Sequence, residues 1–445
     1  MACSPSHQGP PTLVSPVVTV ASRLHTAAVA VEVQADDFAS IQAAIDSVAA
    51  TGGTVYLEPH EYPLAKAIVL PSKVSLVGQS ALDASGSMVL PVLRLADGAN
   101  SNVILNKRVW PSNVRDADIR LANFRIDGNR HNQTGIRHGI EFYYVDRPVI
   151  EGVTVENCSS TGMTFSYCVD GTVRDSVASN NGFTNQWAAT GINLNQYCTG
   201  FLIENNVCNA NNGYRADIGS TPYDGNGIRI GDYSERNTIR GNTCNGNGRR
   251  GIKVQGANNL VSGNTLRDNM GHSILFTGYQ VSGNLVQNNH VSAYYDSGIR
   301  VESLNTRNNT IEGNTITGCL YGIELSTDST ANRLLNNTVT ASRGNGIYLR
   351  GTSDNTVQGN TVTNSGLTFR SNAIQIIVEG GRPSVRNVID GNVCTDTRAV
   401  KLQAYGIKIE PGVDYTTVTN NDLRGNLWTG IFLSGTHNTV FNNLF

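Results

Sequence analysis

Arg229, Lys253, Arg300 and Arg350, with Glu302, Glu324 and the nearby Asp232, fall at or beside equivalent places of one recurring phrase, Gly-Ile-x-(apolar)-x. In an extended strand, alternate residues point to opposite faces. The Ile and the second apolar residue therefore point inward, and the two x residues point outward. Arg229 and Lys253 then lie one repeat apart, about 4.8 Å if repeats stack as hydrogen-bonded strands. Two cations that close raise each other's acidity. A Lys so tuned can take the proton next to a carboxylate while an Arg neutralises that carboxylate, which is β-elimination chemistry on a uronate. Arg300 extends the cationic row, and Arg350 is a further contact for an acidic ligand. Glu302 and Glu324, with Cα atoms roughly 8 Å apart, offer the other chemistry, a hydrolytic carboxylate pair. Asp217, Asp224 and Asp232 form a second acidic group. They could serve as acid and base, or as hard oxygen ligands for Ca2+. Their spacing matches no EF-hand loop. The same charges also read as a solvated face in which Arg/Glu pairs such as Arg300 and Glu324 bridge repeats.

The elements that must hold these residues follow from the repeat. The phrase starts at Gly139, Gly162 (with Met163 for Ile), Gly191, Gly227, Gly251, Gly298, Gly322, Gly346, Gly406 and Gly430, and Ser273 and Ala373 fill the two gaps. The commonest step is 24 residues. A second column of Asn, one free position, then an apolar residue runs from Asn206/Cys208 to Asn421/Leu423. Asn tolerates the left-handed backbone of a tight turn, and stacked Asn side chains can bond along a ladder. Each unit holds about three short β-branched or aliphatic runs and nothing helical. The repeat predicts an all-β fold, a single-stranded right-handed parallel β-helix of about 12 or more coils, roughly 50–55 Å of rod.

Composition excludes other classes. The chain has 445 residues, 33 basic and 35 acidic side chains and a net charge of -2, without the basic balance of a nucleic-acid binder. No apolar run reaches the ~18 residues of a membrane-spanning helix. All fifty asparagines lie at or after Asn100, so the N-terminal part is built differently. There Phe38, Ile41, Ala44, Ile45 and Val48 share one helical face, bracketed by Asp36-Asp37 and Gly52-Gly53. This predicts a helix over 37–50 that caps the open end of the coil stack and protects its edge strands. Residues 1–35 read as an extension and 36–445 as the β-helix domain. No basic start precedes a clean apolar core, so no intact signal peptide is visible.

The stretch from Asp36-Asp37 through Ile41-Gln42-Ala43-Ala44-Ile45, Gly52-Gly53-Thr54-Val55-Tyr56-Leu57-Glu58-Pro59 and Leu70-Pro71-Ser72-Lys73-Val74 resembles the opening of pectate-lyase-superfamily β-helix proteins. Phe124 to Arg130 and Arg174 to Gly182 are similar to the catalytic modules of mannuronan C5-epimerases. The resemblance implies the β-helix fold, a polysaccharide partner and an extracellular or surface location. In those epimerases one coil carries Tyr-Gly-Phe-Asp-Pro-His-Glu and the next supplies an Asp. Here Thr164 and Ser166 stand where the Asp and His would be, and Asn195 where the next Asp would be. Epimerisation at this place is therefore not expected, and any chemistry must use another part of the groove.

Insertions mark that part. Phe183–Thr190 and Tyr214–Asn226 carry Trp187, Tyr214, Arg215 and Tyr223 and run into the outward strands that hold Asn193, Asn195, Arg229 and Lys253. The expectation is a substrate groove over coils 162–256. Tyr144, Tyr167, Tyr197 and Tyr233 follow four successive strands; they read as a sugar-stacking surface or as a structural aromatic ladder. Cys208, Cys244 and Cys394 read as core, and Cys168 and Cys198 follow corresponding strands and could pair. Three functions remain open: a polysaccharide lyase, a glycoside hydrolase or transferase, and a non-catalytic polysaccharide-binding or structural β-helix, with homo-oligomer formation also open.

Overall fold

The computed structural model describes residues 31–108, 111–182, 189–212, 225–293 and 295–445. Trp187, Tyr214, Arg215, Asp217, Tyr223 and Asp224 lie outside the described residues. The chain from Val31 onward winds as a parallel β-helix of three faces. One face is a 16-stranded sheet from Val31–Gln34 to Thr439–Phe441. The second is a 14-stranded sheet from Ile68–Leu70 to Thr429–Leu433, and it carries the Gly-Ile phrases. The third consists of a five-stranded block and a seven-stranded block, joined through Val207, which bridges to both Val177 and Thr243.

The cap is α1, Ile41–Val48, shorter than the predicted helix because Ala35–Asp37 forms a separate 3-10 turn. The Ser40 side chain accepts a hydrogen bond from the Ala43 amide at the helix start. Ile41, Ala44, Ile45 and Val48 are buried.

The Gly-Ile columns set the register. Ile228, Ile252, Ile274 and Ile299 are successive partners, all without exposed surface. A Cβ on Gly346 would lie 2.1 Å from Val362 Cγ1 and 2.8 Å from the Ala373 carbonyl, so the bend into this strand leaves no room for a side chain. The Asn column forms a ladder. Asn264 shows the unit. Its backbone N–H and its Nδ2 both donate to Asn289 Oδ1 at 2.9 Å, and its Nδ2 also reaches the Ile239 carbonyl at 3.0 Å. Such links run without a gap from Asn206 to Asn443. A parallel ladder runs from Asn237 to Asn387. The ladder residues themselves are not left-handed. That conformation falls to the residue before, such as Asn205 (φ 55°) before Asn206 or Gly313 (φ 63°) before Asn314. One residue turns the chain and the next ties it to its neighbours.

The seven described cysteines, Cys168 and Cys198 among them, are buried free thiols. The Cys198 thiol donates to the Phe165 carbonyl at 3.3 Å rather than pairing with Cys168.

Candidate functional site

The outward residues of the 14-stranded sheet form a continuous strip. Thr164, Asn193, Arg229, Lys253, Leu275, Arg300 and Glu324 are consecutive strand partners. The second outward position departs from the expected column. Register slips by one after Phe165, so Ser166 partners Gln196 and Gln196 partners Asp232. Asn195 is thus not in line with Ser166, as it would be in regular strands, but is the extra residue of a β-bulge, and Gly231 lies beside it in the next coil, where the register is regular again. A Cβ on Gly231 would sit 1.9 Å from the Asn195 carbonyl, which accounts for the glycine.

The bulge turns Asn195 into a relay of amides. Asn193 Nδ2 donates to Thr164 Oγ1 at 3.1 Å, and Asn195 Nδ2 to Ser166 Oγ at 3.2 Å. Their amide oxygens accept from Arg229 Nη1 at 3.4 and 3.2 Å, while Arg229 Nε donates to Gln255 Oε1 at 2.8 Å. Gln255 Nε2 in turn donates to Asp232 Oδ1 at 3.2 Å. Arg229 is therefore held in one orientation by neutral groups from both neighbouring coils, with Lys253 beside it in register. Arg250, absent from the candidates above, is buried two strand positions before Ile252 and partners Asn226, which in turn partners Thr190. It belongs to a third polar column, the residue before each Gly-Ile pair, which counting only the residues after the glycine overlooks.

Beyond the buried Leu275 the strip changes character. Arg300 pairs with Glu302 at 2.8 Å and with Glu324 at 3.6 Å. Arg350 pairs with Glu324 at 2.8 Å and with Glu379, and lies over the Tyr348 ring. Ser297 Oγ donates to Glu324 Oε2 at 2.6 Å. Glu324 is 0% exposed. The two carboxylates of the candidate hydrolytic pair are thus both tied to Arg300, and one is sealed from solvent.

The N-terminal end holds a titratable set outside the columns of paired charges. His138 Nε2 lies 3.9 Å from Glu141 Oε1, and Asn102 Nδ2 donates to Glu141 Oε2 at 2.6 Å. The His138 Nδ1 accepts the Thr161 amide at 3.3 Å, which fixes the neutral tautomer with its proton on Nε2. Burial raises the Glu141 carboxyl above its ordinary range. Burial, then the Glu141 charge and hydrogen bond, pushes the Tyr143 phenol up to about 12. Burial brings His138 down to about 4. The unfolded imidazole therefore takes its proton first as pH falls. The His138 contribution is complete above pH ~6.5 and is lost between pH ~6.5 and ~4, up to about 3 kcal/mol. His138→Gln should flatten that part of the urea-midpoint against pH curve; an unchanged slope would refute a buried neutral His138.

Tyr144, Tyr167, Tyr197 and Tyr233 stack at 4.9, 5.1 and 4.9 Å. All four adopt a left-handed backbone, φ 50–59°. Their faces are occupied by one another, which makes the row a structural ladder whose last member is Tyr233, 46% exposed. Among the described residues no three His, Cys, Asp or Glu side chains converge as a metal site. Of the Asp217, Asp224 and Asp232 group, only Asp232 is among the described residues, and its Oδ1 accepts from Gln255.

A coil-by-coil parallel rod with one outward strip is the architecture of right-handed β-helix proteins, and the chain belongs to that family: the family described as "right handed beta helix region" matches residues 112–280 and 223–362, together more than half of the chain. A second family, "periplasmic copper-binding protein (NosD)", matches residues 327–445. That segment contains one His, one Cys and no Met, and Cys394 is buried, so its side chains do not make a copper site. Among known proteins the chain is similar to mannuronan C5-epimerase AlgE4 of Azotobacter vinelandii, 31% identical over 198 residues, 42% of this chain and 34% of that protein. It is also similar to AlgE3 of the same organism, 30% identical over 236 residues, 49% of this chain and 11% of that protein. The chain thus spans about a third or less of these two relatives. Similar solved structures include the tailspike protein of E. coli bacteriophage HK620 in complex with pentasaccharide, TM-score 0.63 at 15% identity, over 90% of this chain and 76% of that one. Another is PfbA, a surface adhesin of Streptococcus pneumoniae, TM-score 0.55 at 14% identity, over 78% of this chain and 92% of that one. At these identities the likeness is one of fold.

Proposed function

We propose that this β-helix binds an acidic polysaccharide along the outward strip of coils 162–256 and cleaves it by β-elimination, at the surface of a cell or outside it. The observation that carries this reading is the fixed orientation of Arg229, gripped by the amide oxygens of Asn193, Asn195 and Gln255, one coil from Lys253. Arg229 would face the uronate carboxylate and stabilise the charge that builds there. Lys253 would accept the C5 proton. The electron pair left on C5 forms the C4–C5 double bond, the C4–O4 bond breaks, and the departing oxygen takes a proton from solvent. Tyr233, Arg350 and the insertion residues Trp187, Tyr214, Arg215 and Tyr223 remain proposed substrate contacts. The epimerase relatives, named for mannuronan, support an acidic polymer as substrate.

A second reading places the acid–base centre at His138, Glu141 and Tyr143, where a carboxyl with raised affinity for its proton faces a neutral imidazole. A hydrolase built on Glu302 and Glu324 is disfavoured by the ion pairs that enclose Glu324. The experiment is absorbance near 235 nm during incubation with a panel of uronate polymers, for wild type, Lys253→Ala and Glu141→Gln. A rise lost only in Lys253→Ala supports the first reading. A rise lost only in Glu141→Gln moves the centre to the N-terminal coil. New reducing ends without absorbance would overturn elimination, and binding without turnover would leave an adhesin-like role.

A further inference from the structure

The turns that follow the outward strands hold an open place. The aromatic row ends at Tyr233, because the next turn is only Gln255-Gly256-Ala257. One coil further, Tyr279 stands in a three-residue insertion, Gly278-Tyr279-Gln280, and at 82% exposed it is the most exposed large apolar side chain among the described residues. From Tyr233 to Tyr279 is two coils, about 10 Å along the rod axis. That is twice the stacking distance within the ladder, 4.9–5.1 Å, so Tyr279 lies beyond stacking reach of Tyr233. Two cavities adjoin Tyr279. One is a cavity of about 330 Å³ that Tyr279 shares with Ala257, Gln280, Ser282, Asn305 and Arg307. The other is a cleft of about 660 Å³ lined by Thr277, Tyr279, Ser303, Leu304 and Asn305, within the size range of ligand sites.

The cleft has two kinds of wall. Tyr279 and Leu304, the latter 61% exposed, are apolar and turned out to water. Thr277 Oγ1 and Ser303 Oγ lie 2.9 Å apart as a hydroxyl pair. Ser303 (φ 90°) and Asn305 (φ 71°) take left-handed backbones, a costly conformation for non-glycine residues, and the turn is closed by the Thr306 amide on the Ser303 carbonyl at 3.2 Å. An apolar face beside hydroxyl and amide groups is the complement of a pyranose ring, which has an apolar C–H face and a hydroxyl rim.

We propose that the Tyr279–Leu304 cleft is a glycan subsite, in which a pyranose ring stacks on Tyr279 and hydrogen-bonds Thr277, Ser303 and Asn305. It would extend the strip sideways by holding a branch or a bend of the polymer. This rests on the reading of the ligand as a polysaccharide, not on elimination at Lys253.

The test is electrophoresis of wild type, Tyr279→Ala and Tyr279→Phe through native gels containing alginate, polygalacturonate, hyaluronan or dextran. For a polymer that retards wild type, Tyr279→Ala should weaken retardation about tenfold, the size of a lost aromatic stack, and Tyr279→Phe should keep it. Equal retardation of Tyr279→Ala would overturn the subsite and leave the polysaccharide reading standing. No retardation of wild type by any polymer would overturn both. A concentration-dependent dimer of wild type lost in Tyr279→Ala, with polymer binding intact, would overturn the subsite and assign the cleft to a second copy of the chain. Tyr279 is exposed, so all three proteins should melt alike.

Discussion

Glu324→Gln is expected to destabilise the rod by about 3 kcal/mol, the lower end of what breaking a buried ion pair costs. The carboxylate has no exposed surface, and Arg300, Arg350 and Ser297 all point at it. Gln preserves the shape and removes the charge, leaving two partly exposed guanidiniums facing a buried neutral amide. The loss stays at the lower end because each Arg keeps a second partner, Glu302 for Arg300 and Glu379 for Arg350. Coils interact mainly with their neighbours, so the loss should be concentrated between residues 298 and 350. Native-state hydrogen exchange would read it there as faster opening, with the N-terminal coils unchanged. Replacing Arg300, Glu324 and Arg350 together by Met should recover most of the stability. The opposite pattern, normal exchange with activity abolished, would make Glu324 a catalytic carboxylate and restore the hydrolase reading.

The largest single-residue effect is expected in the asparagine ladder. Asn314 Oδ1 accepts both the amide and the Nδ2 of Asn289 at 2.9 Å, and Asn314 Nδ2 donates to Asn337 Oδ1 and the Val286 carbonyl. Asn314→Ala strands the Asn289 amide, at about 1–3 kcal/mol, and removes one further bond each from Asn289 Nδ2, Asn337 Oδ1 and the Val286 carbonyl, at about 0.5–1.5 kcal/mol each, for a total loss above about 3 kcal/mol. Asn314→Asp should be worse at neutral pH, because it also buries an unpaired charge. The sign with pH separates the two. Burial raises the pKa of such an Asp, so its folded form is least penalised below pH ~4 and loses stability as pH rises. The Ala variant has nothing to titrate there. Urea midpoints at pH 4 and pH 7.5 should therefore diverge for Asn314→Asp and move with wild type for Asn314→Ala. Parallel behaviour would show that the ladder tolerates a carboxylate, contrary to its geometry.

The register of the strip was legible in the sequence because two steric requirements coincide: a glycine where a Cβ would strike the next coil, and an inward aliphatic residue after it. Any residue counted from that pair is placed correctly, and Asn193, Arg229, Lys253, Arg300 and Glu324 fall where counting puts them. The bulge at Asn195 was not legible, since one extra residue in a strand leaves no mark when turns also vary in length. Arg250 and His138 were missed for a related reason. They precede the glycine, where the chain bends and simple alternation fails. For Arg300 and Glu324, spacing could predict that they meet but not that Glu324 is sealed, because burial depends on the loops and side chains that close over it. The tyrosine row shows the same limit: four aromatics one coil apart suit a ligand or each other, and the 4.9 Å stacking decides for each other.

The ladders also separate the scaffold from the length of its loops. Asn206 and Asn242 are 36 residues apart, Asn242 and Asn264 only 22, yet both pairs close the same 3.0 Å contact. Alignment is kept by touch between neighbours rather than by residue count. New segments can therefore enter at the turns during evolution without disturbing the coils on either side. For an engineer the rod is a rack with a slot every 4.8 Å or so, into which recognition loops can be grafted one at a time and moved along the axis in known steps.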